Sequence, residues 1–201
     1  FGAEFVGSSL ELSGNNEFNS NYESGINANI TGNVSLSNVV ANQNGSSGYG
    51  AGAELTSSSG NVILAGSNEF QNNNNTGLFV DSVGTVTLHN ILASNNGIGG
   101  VYGYGVEILA SELTLSGLNE FNDNYESGVY ADVSGDITIS NMIASNNGQA
   151  GAYGLGAELI SSGLVQISGT SIFSANSSGG LSIDAASGVL IANSSINSNL
   201  D

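Results

Sequence analysis

A short motif that occurs four times constrains this chain more tightly than any other feature. Gly-Ala-Glu-Phe at residues 2–5 reappears as Gly-Ala-Glu-Leu at 52–55, Gly-Val-Glu-Ile at 105–108 and Gly-Ala-Glu-Leu at 156–159. Between these copies Gly25-Ile26, Gly77-Leu78, Gly128-Val129 and Gly180-Leu181 open the same apolar-x-apolar pattern in a weaker form. Such a period marks a tandem array in which each unit buries its apolar face only by stacking on its neighbours. Eight units of about 25 residues span the chain, so the array is its whole organisation.

Inside each unit the apolar spacing is two: Val34 and Leu36, Val86 and Leu88, Leu113 and Leu115, Ile137 and Ile139, Val165 and Ile167. That is the period of a strand with one buried face. The segments are short and are bounded by Gly, Asn and Ser, which favour turns. The pattern predicts an all-β fold: a right-handed parallel β-helix of eight coils with three short strands per coil, forming a single solenoid domain over residues 1–201. The absence of Pro fits, because each strand would be central to a long ladder in which Pro deletes a hydrogen bond.

A second column sets the phase independently. Each unit has a large apolar residue followed three positions later by an amide: Phe18/Asn21, Val40/Gln43, Phe70/Asn73, Leu92/Asn95, Phe121/Asn124, Ile143/Asn146, Phe173/Asn176 and Ile196/Asn199. Stacked about 4.8 Å apart, such amides bond from coil to coil. The expectation is an asparagine ladder made of Asn21, Gln43, Asn73, Asn95, Asn124, Asn146, Asn176 and Asn199, with the four phenylalanines inside.

Composition removes several functions. There are 17 acids and no Lys or Arg, a net charge of −17, so the chain lacks the cations that grip phosphate. Nucleic-acid binding and attachment to anionic membranes by a basic patch are excluded on that ground. With 39% hydrophobic and only 8% charged residues there is enough apolar material for a core, which argues against a disordered acidic tail. Without Cys there is no disulfide framework and no thiolate chemistry. No apolar run approaches the roughly 18 residues of a membrane-spanning helix, so no membrane insertion is expected.

The alternation of Phe-x-x-Asn with Gly-[Gly/Ala/Val]-x-[Ile/Leu] resembles the repeat pair of polymorphic outer-membrane proteins and related adhesins with a pectate-lyase-like right-handed β-helix. Phe173 to Ile183, FSANSSGGLSI, carries the likeness best. The resemblance covers all eight units. It implies a passenger that is secreted or displayed at the cell surface, stands off the cell and mediates adhesion to other cells or surface glycans.

Projecting the first strand of each unit gives two outward columns. One reads Glu4, Asn27, Glu54, Phe79, Glu107, Tyr130, Glu158, Ser182; the other reads Val6, Asn29, Thr56, Asp81, Leu109, Asp132, Ile160, Asp184. Glu54, Asp81, Glu107, Asp132, Glu158 and Asp184 are the candidate metal ligands, with calcium the ion such carboxylates would take. No other cofactor and no catalytic residue is expected. β-Elimination on a polysaccharide lacks its Lys or Arg, and no carboxylate pair is marked out for glycoside hydrolysis. Glycine-rich segments at residues 45–52, 97–105 and 148–156, holding Tyr49, Tyr102 and Tyr153, would wall this face. His89 is expected to be a packed or solvated histidine, and the Thr87, Thr114 and Thr138 column is interrupted by Glu11, Ile63, Gln166 and Leu190.

Joining Asn199-Leu200-Asp201 to Phe1-Gly2-Ala3 gives the same five-residue step that separates Asn21 from Ile26 and Asn73 from Leu78. The expectation is a structural unit that continues head-to-tail in register, as one segment of a longer secreted fibre or by stacking of copies. Its contacts would be Phe1, Ala3, Phe5, Ile196 and Leu200. The alternative is a carbohydrate-binding or carbohydrate-cleaving module.

Overall fold

The computed structural model describes residues 1–200 apart from Val101; Asp201, used in the joining argument, lies outside the described residues. The chain winds as a β-solenoid with three parallel sheets of eight strands, one strand of each sheet per coil. The first sheet is built from Ala3–Gly7, Ile26–Ile30, Ala53–Ser57, Leu78–Ser82, Val106–Ala110, Val129–Val133, Leu155–Ser161 and Gly179–Ala185. The second runs from Leu10–Leu12 to Gly188–Ile191 and the third from Asn16–Glu17 to Ser194–Asn197. The helical content of the described residues is one 3-10 turn at Gln149–Gly151.

Strand alternation places the core where the sequence puts it. Val34, Leu36, Val86, Leu88, Leu113, Leu115, Ile137, Ile139, Val165 and Ile167 are all buried in one continuous cluster. Phe70, Phe121 and Phe173 are fully buried, while Phe18, in the first coil, is half-buried against the same cluster.

The amide column is real and its odd-coil members are as expected, but three even-coil members differ. The ladder consists of Asn21, Asn44, Asn73, Asn96, Asn124, Asn147, Asn176 and Asn199, each donating through Nδ2 to Oδ1 of the next at 2.9 to 3.1 Å. Gln43, Asn95 and Asn146 stand one position earlier, exposed, with φ of 59°, 57° and 63°. They belong to a left-handed corner present in every coil, a backbone state that amide residues tolerate better than most. The apolar partners shift with them. The interior residues are Ala41, Ala93 and Ala144, all fully buried, whereas Val40, Leu92 and Ile143 lie half-buried outside the third sheet.

The reason is volume. Phe70 stacks on Ala93 and Phe121 on Ala144, so a thick ring alternates with a methyl along the axis and the interior stays close-packed. In the eighth coil the same place opposite Phe173 is taken by Ile196, so the small residue is the rule only where a ring lies on both sides.

From Asn44 onward the ladder asparagines are also locked to the backbone. Asn96 Oδ1 accepts from the Asn73 backbone N–H and Nδ2, both at 3.1 Å, while its own Nδ2 donates to Phe70 O at 2.9 Å and Asn124 Oδ1 at 3.1 Å. Both donors and both acceptor sites of the side chain are filled. This packing dictates the glycine of the Gly-x-Glu motif: a Cβ on Gly105 would lie 2.5 Å from Gly128 O and 2.9 Å from Asn124 Nδ2.

A second buried series serves the corner between the second and third sheets. Asn68 Oδ1 accepts from Val39 N–H at 3.0 Å, and Asn119 Oδ1 from Ile91 N–H at 3.1 Å. No buried side-chain polar atom among the described residues lacks a partner.

Two substitutions test this account. Asn96→Ala strands four buried groups at about 1–3 kcal/mol each before relaxation. In urea denaturation it should lose more than about 3 kcal/mol, whereas Asn61→Ala, at an exposed turn, should lose less than about 1. Ala93→Leu inserts volume between Phe70 and Phe121 and should cost about 1–3 kcal/mol.

Candidate functional face

The outer face of the first sheet carries both expected columns in register. Glu54 pairs with Phe79, Phe79 with Glu107, Glu107 with Tyr130 and Tyr130 with Glu158. In the second column Asp81 pairs with Leu109, Leu109 with Asp132, Asp132 with Ile160 and Ile160 with Asp184. Within these columns no acid stands directly against another, and like charges stand two coils apart, about 9.6 Å. That is close to the Debye length in physiological salt, so repulsion along each column is weak. The same arrangement keeps the six candidate ligands apart: among the described residues no three His, Asp or Glu side chains gather as a metal site would need.

One place breaks the repeat. The residue between the paired loop glycines is Ala51 in one copy, Leu155 in another and Tyr104 in the middle copy. The Tyr104 ring lies over Tyr130, with centroids 5.6 Å apart and planes tilted by 35°. Beside it the Gly103 N–H donates to Glu126 Oε2 at 3.0 Å, so the loop's last turn rests on a carboxylate from the coil above. The equivalent positions, two residues beyond each odd-coil ladder asparagine, hold Glu23, Asn75 and Ser178.

Electrostatics follow from crowding. Burial, and then the neighbouring Glu126, raises the Glu107 carboxyl above the usual range; burial raises Glu126 too, opposed by the Gly103 hydrogen bond. Both phenols are raised, Tyr104 by burial first and then by Glu126, Glu107 and Glu158, Tyr130 by burial first and then by Asp132, Glu158 and Glu107. The site is thus an aromatic pair beside carboxylates in a chain without Lys or Arg.

Tyr104 and Glu126 were not singled out by the sequence reasoning. Both stand at turns, where strand periodicity gives no signal, although aligning the three loops exposes Tyr104 as the odd one.

The loops form a row along one edge. Tyr49, Tyr102 and Tyr153 are all exposed. Between successive loops lie equivalent hollows. One, of about 360 Å³, is lined by Gln43, Asn72, Asn74 and Ile98 among others; the next, of about 270 Å³, is lined by Asn95, Asp123, Tyr125 and Gln149 among others. Amides dominate the first, through Gln43, Asn44, Asn72 and Asn74, and can both donate to and accept from hydroxyl groups, whereas the second is mostly apolar, with Ile98, Tyr125 and Ala150 in its wall.

On the second sheet Thr87, Thr114 and Thr138 are adjacent in register, with Ile63 before them and Gln166 after them. His89 Nδ1 sits 3.1 Å from Ser116 Oγ, a satisfied half-buried histidine. Phe1, Ile196 and Leu200 are exposed, and Ala3 and Phe5 partly buried, on the outermost coils. No described helix is long and apolar enough to cross a membrane. No protein-family model, curated protein or solved structure matches this chain.

The raised carboxyls give a signed pH prediction. A glutamate held above its unfolded value binds its proton more tightly in the fold, so its stabilising effect is complete below about pH 4.3 and is lost as pH rises through the folded value. Glu107→Gln should therefore raise Tm at pH 7 and leave it unchanged in acid, as read by a thermal melt series.

Proposed function

We propose that this chain is a non-enzymatic, extracellular structural repeat: a rigid length of fibre or stalk whose solenoid continues in register from one unit to the next, with the loop-bearing face serving as the adhesive surface. The observation that carries this reading is the constancy of the coil. Three parallel ladders and the amide column pass through all eight coils, so a further coil meets at either end the strand edges and amide that every interior coil meets. Covering an open apolar cross-section of a few hundred Å² contributes several kcal/mol at about 25 cal/mol per Å², comparable with the cost of joining two bodies. The contact is head-to-tail and does not close on itself, so it builds a filament rather than a ring.

A carbohydrate-binding role is a second reading, favoured by the exposed Tyr49, Tyr102 and Tyr153 on the loops, by the half-buried Phe79 and Tyr130 at two-coil spacing on one column, and by the amide-rich hollow at Gln43, Asn72 and Asn74. Exposed aromatic faces and amides are the groups that meet sugar rings and hydroxyls. A chain of net charge −17 favours a neutral or cationic glycan over a polyuronate.

Electron microscopy across a concentration series separates the two. Filaments one solenoid wide, with an axial repeat of about 4.8 Å, are expected, and Ile196→Asp should leave the chain folded while stopping growth. Dispersed rods at every concentration, together with saturable binding or cleavage of a polysaccharide, would overturn the fibre in favour of the module. Calcium enters this reading as a counter-ion: calcium and sodium chloride at matched ionic strength should raise Tm equally. A calcium-specific rise that follows mass action would instead identify a site.

A further inference from the structure

The sequence contains three Asn-Gly pairs, Asn44-Gly45, Asn96-Gly97 and Asn147-Gly148, and all three fall at one structural position. The asparagine is the buried even-coil member of the ladder, and the glycine is the residue on which the long loop departs. Asn-Gly is the pair at which an asparagine amide is most easily lost, because glycine puts no side chain in the way of its own backbone nitrogen.

The Gly97 nitrogen gives up its proton and bonds to Cγ of Asn96; the Cγ–Nδ2 bond breaks, and Nδ2 takes up a proton and leaves as ammonia. Water then opens the resulting succinimide at one carbonyl or the other, giving aspartate or isoaspartate. One water is consumed, one ammonia is released, and a carboxylate stands where an amide stood.

We propose that these three pairs are self-modification sites which the fold holds shut and unfolding opens, so that a chain kept unfolded is converted into one that cannot rebuild its ladder. The nucleophile is restrained first. The Gly45 N–H is shared between Asn21 O at 3.0 Å and Glu23 O at 3.1 Å, that of Gly97 between Asn73 O and Asn75 O, both at 3.0 Å, and that of Gly148 between Asn124 O at 3.0 Å and Glu126 O at 3.1 Å. A proton held between two carbonyl oxygens is harder to remove.

The carbon under attack is restrained as well. To reach the glycine nitrogen the carboxamide of Asn96 has to swing out of the ladder and break all four of its hydrogen bonds. Asn44 and Asn96 are 2% exposed and Asn147 is 1% exposed, so the water needed to open the ring is kept away. Once formed, the product does not fit. An aspartate at this position has no amide protons for Phe70 O and turns a negative oxygen towards Asn124 Oδ1, while isoaspartate adds a backbone carbon and shifts the register.

The test compares the folded chain with the same chain in guanidinium chloride, both in mildly alkaline buffer, by peptide mass mapping of Asn44, Asn96 and Asn147. Conversion should be slower by about a thousandfold in the folded sample, since cooperative unfolding exposes an ordinary domain for less than that fraction of the time. Aliquots transferred from denaturant to native buffer should recover strand circular dichroism in proportion to the unconverted fraction. A sample unfolded at mildly acidic pH, where the glycine nitrogen keeps its proton, should refold completely. Equal conversion rates in folded and unfolded chains, full refolding of chains already converted at all three positions, or failure of the acid sample to refold would each overturn the proposal.

Discussion

A column of primary amides is the constraint on which the rest of this solenoid depends. At the corner where the third strand of one coil hands over to the first strand of the next, backbone groups turn into the interior and have no sheet partner. Asparagine answers this because its short side chain carries two donors and two acceptor sites at fixed reach, enough to take one backbone N–H, give one proton to a backbone carbonyl and still link to the amides on either side. Other features follow from that choice. Glycine has to precede the first strand because the amide and the next coil's carbonyl fill the space of a Cβ. The residue before the ladder amide has to adopt a left-handed backbone so that the amide points inward.

Charge is handled by placement rather than by pairing. On the third sheet Glu17, Val40 and Glu69 follow one another outward in register, and Leu92, Glu120 and Ile143 continue the alternation. The first sheet does the same with its own acids. Interleaving apolar and acidic side chains keeps any one column from presenting a continuous greasy strip or a continuous line of like charge, and both would harm a long exposed sheet.

Much of the fold was legible because a strand period and a coil period reinforce each other. Val86 and Leu88, or Ile137 and Ile139, show their inward face by alternation alone, and the outward columns of the first sheet followed correctly from them. The even-coil corner was misread by one residue for a physical reason. Val40, Leu92 and Ile143 are the more hydrophobic neighbours, yet the interior there lies between two phenylalanine rings and needs a small residue, so Ala41, Ala93 and Ala144 take the inside. Hydrophobicity marks what prefers burial, whereas volume decides which of two adjacent residues obtains it. The Tyr104, Glu107, Glu126 and Tyr130 grouping was half visible. Its strand members lay on a projected column, but Tyr104 and Glu126 come from turns whose approach depends on how a loop folds back over the sheet.

The alternation of Phe with Ala has an evolutionary consequence. Removing or inserting one coil would set ring against ring or methyl against methyl, leaving the interior either jammed or hollow. Packing therefore favours lengthening or shortening by whole pairs of coils, and the molecule behaves as a ruler graduated in steps of about 9.6 Å.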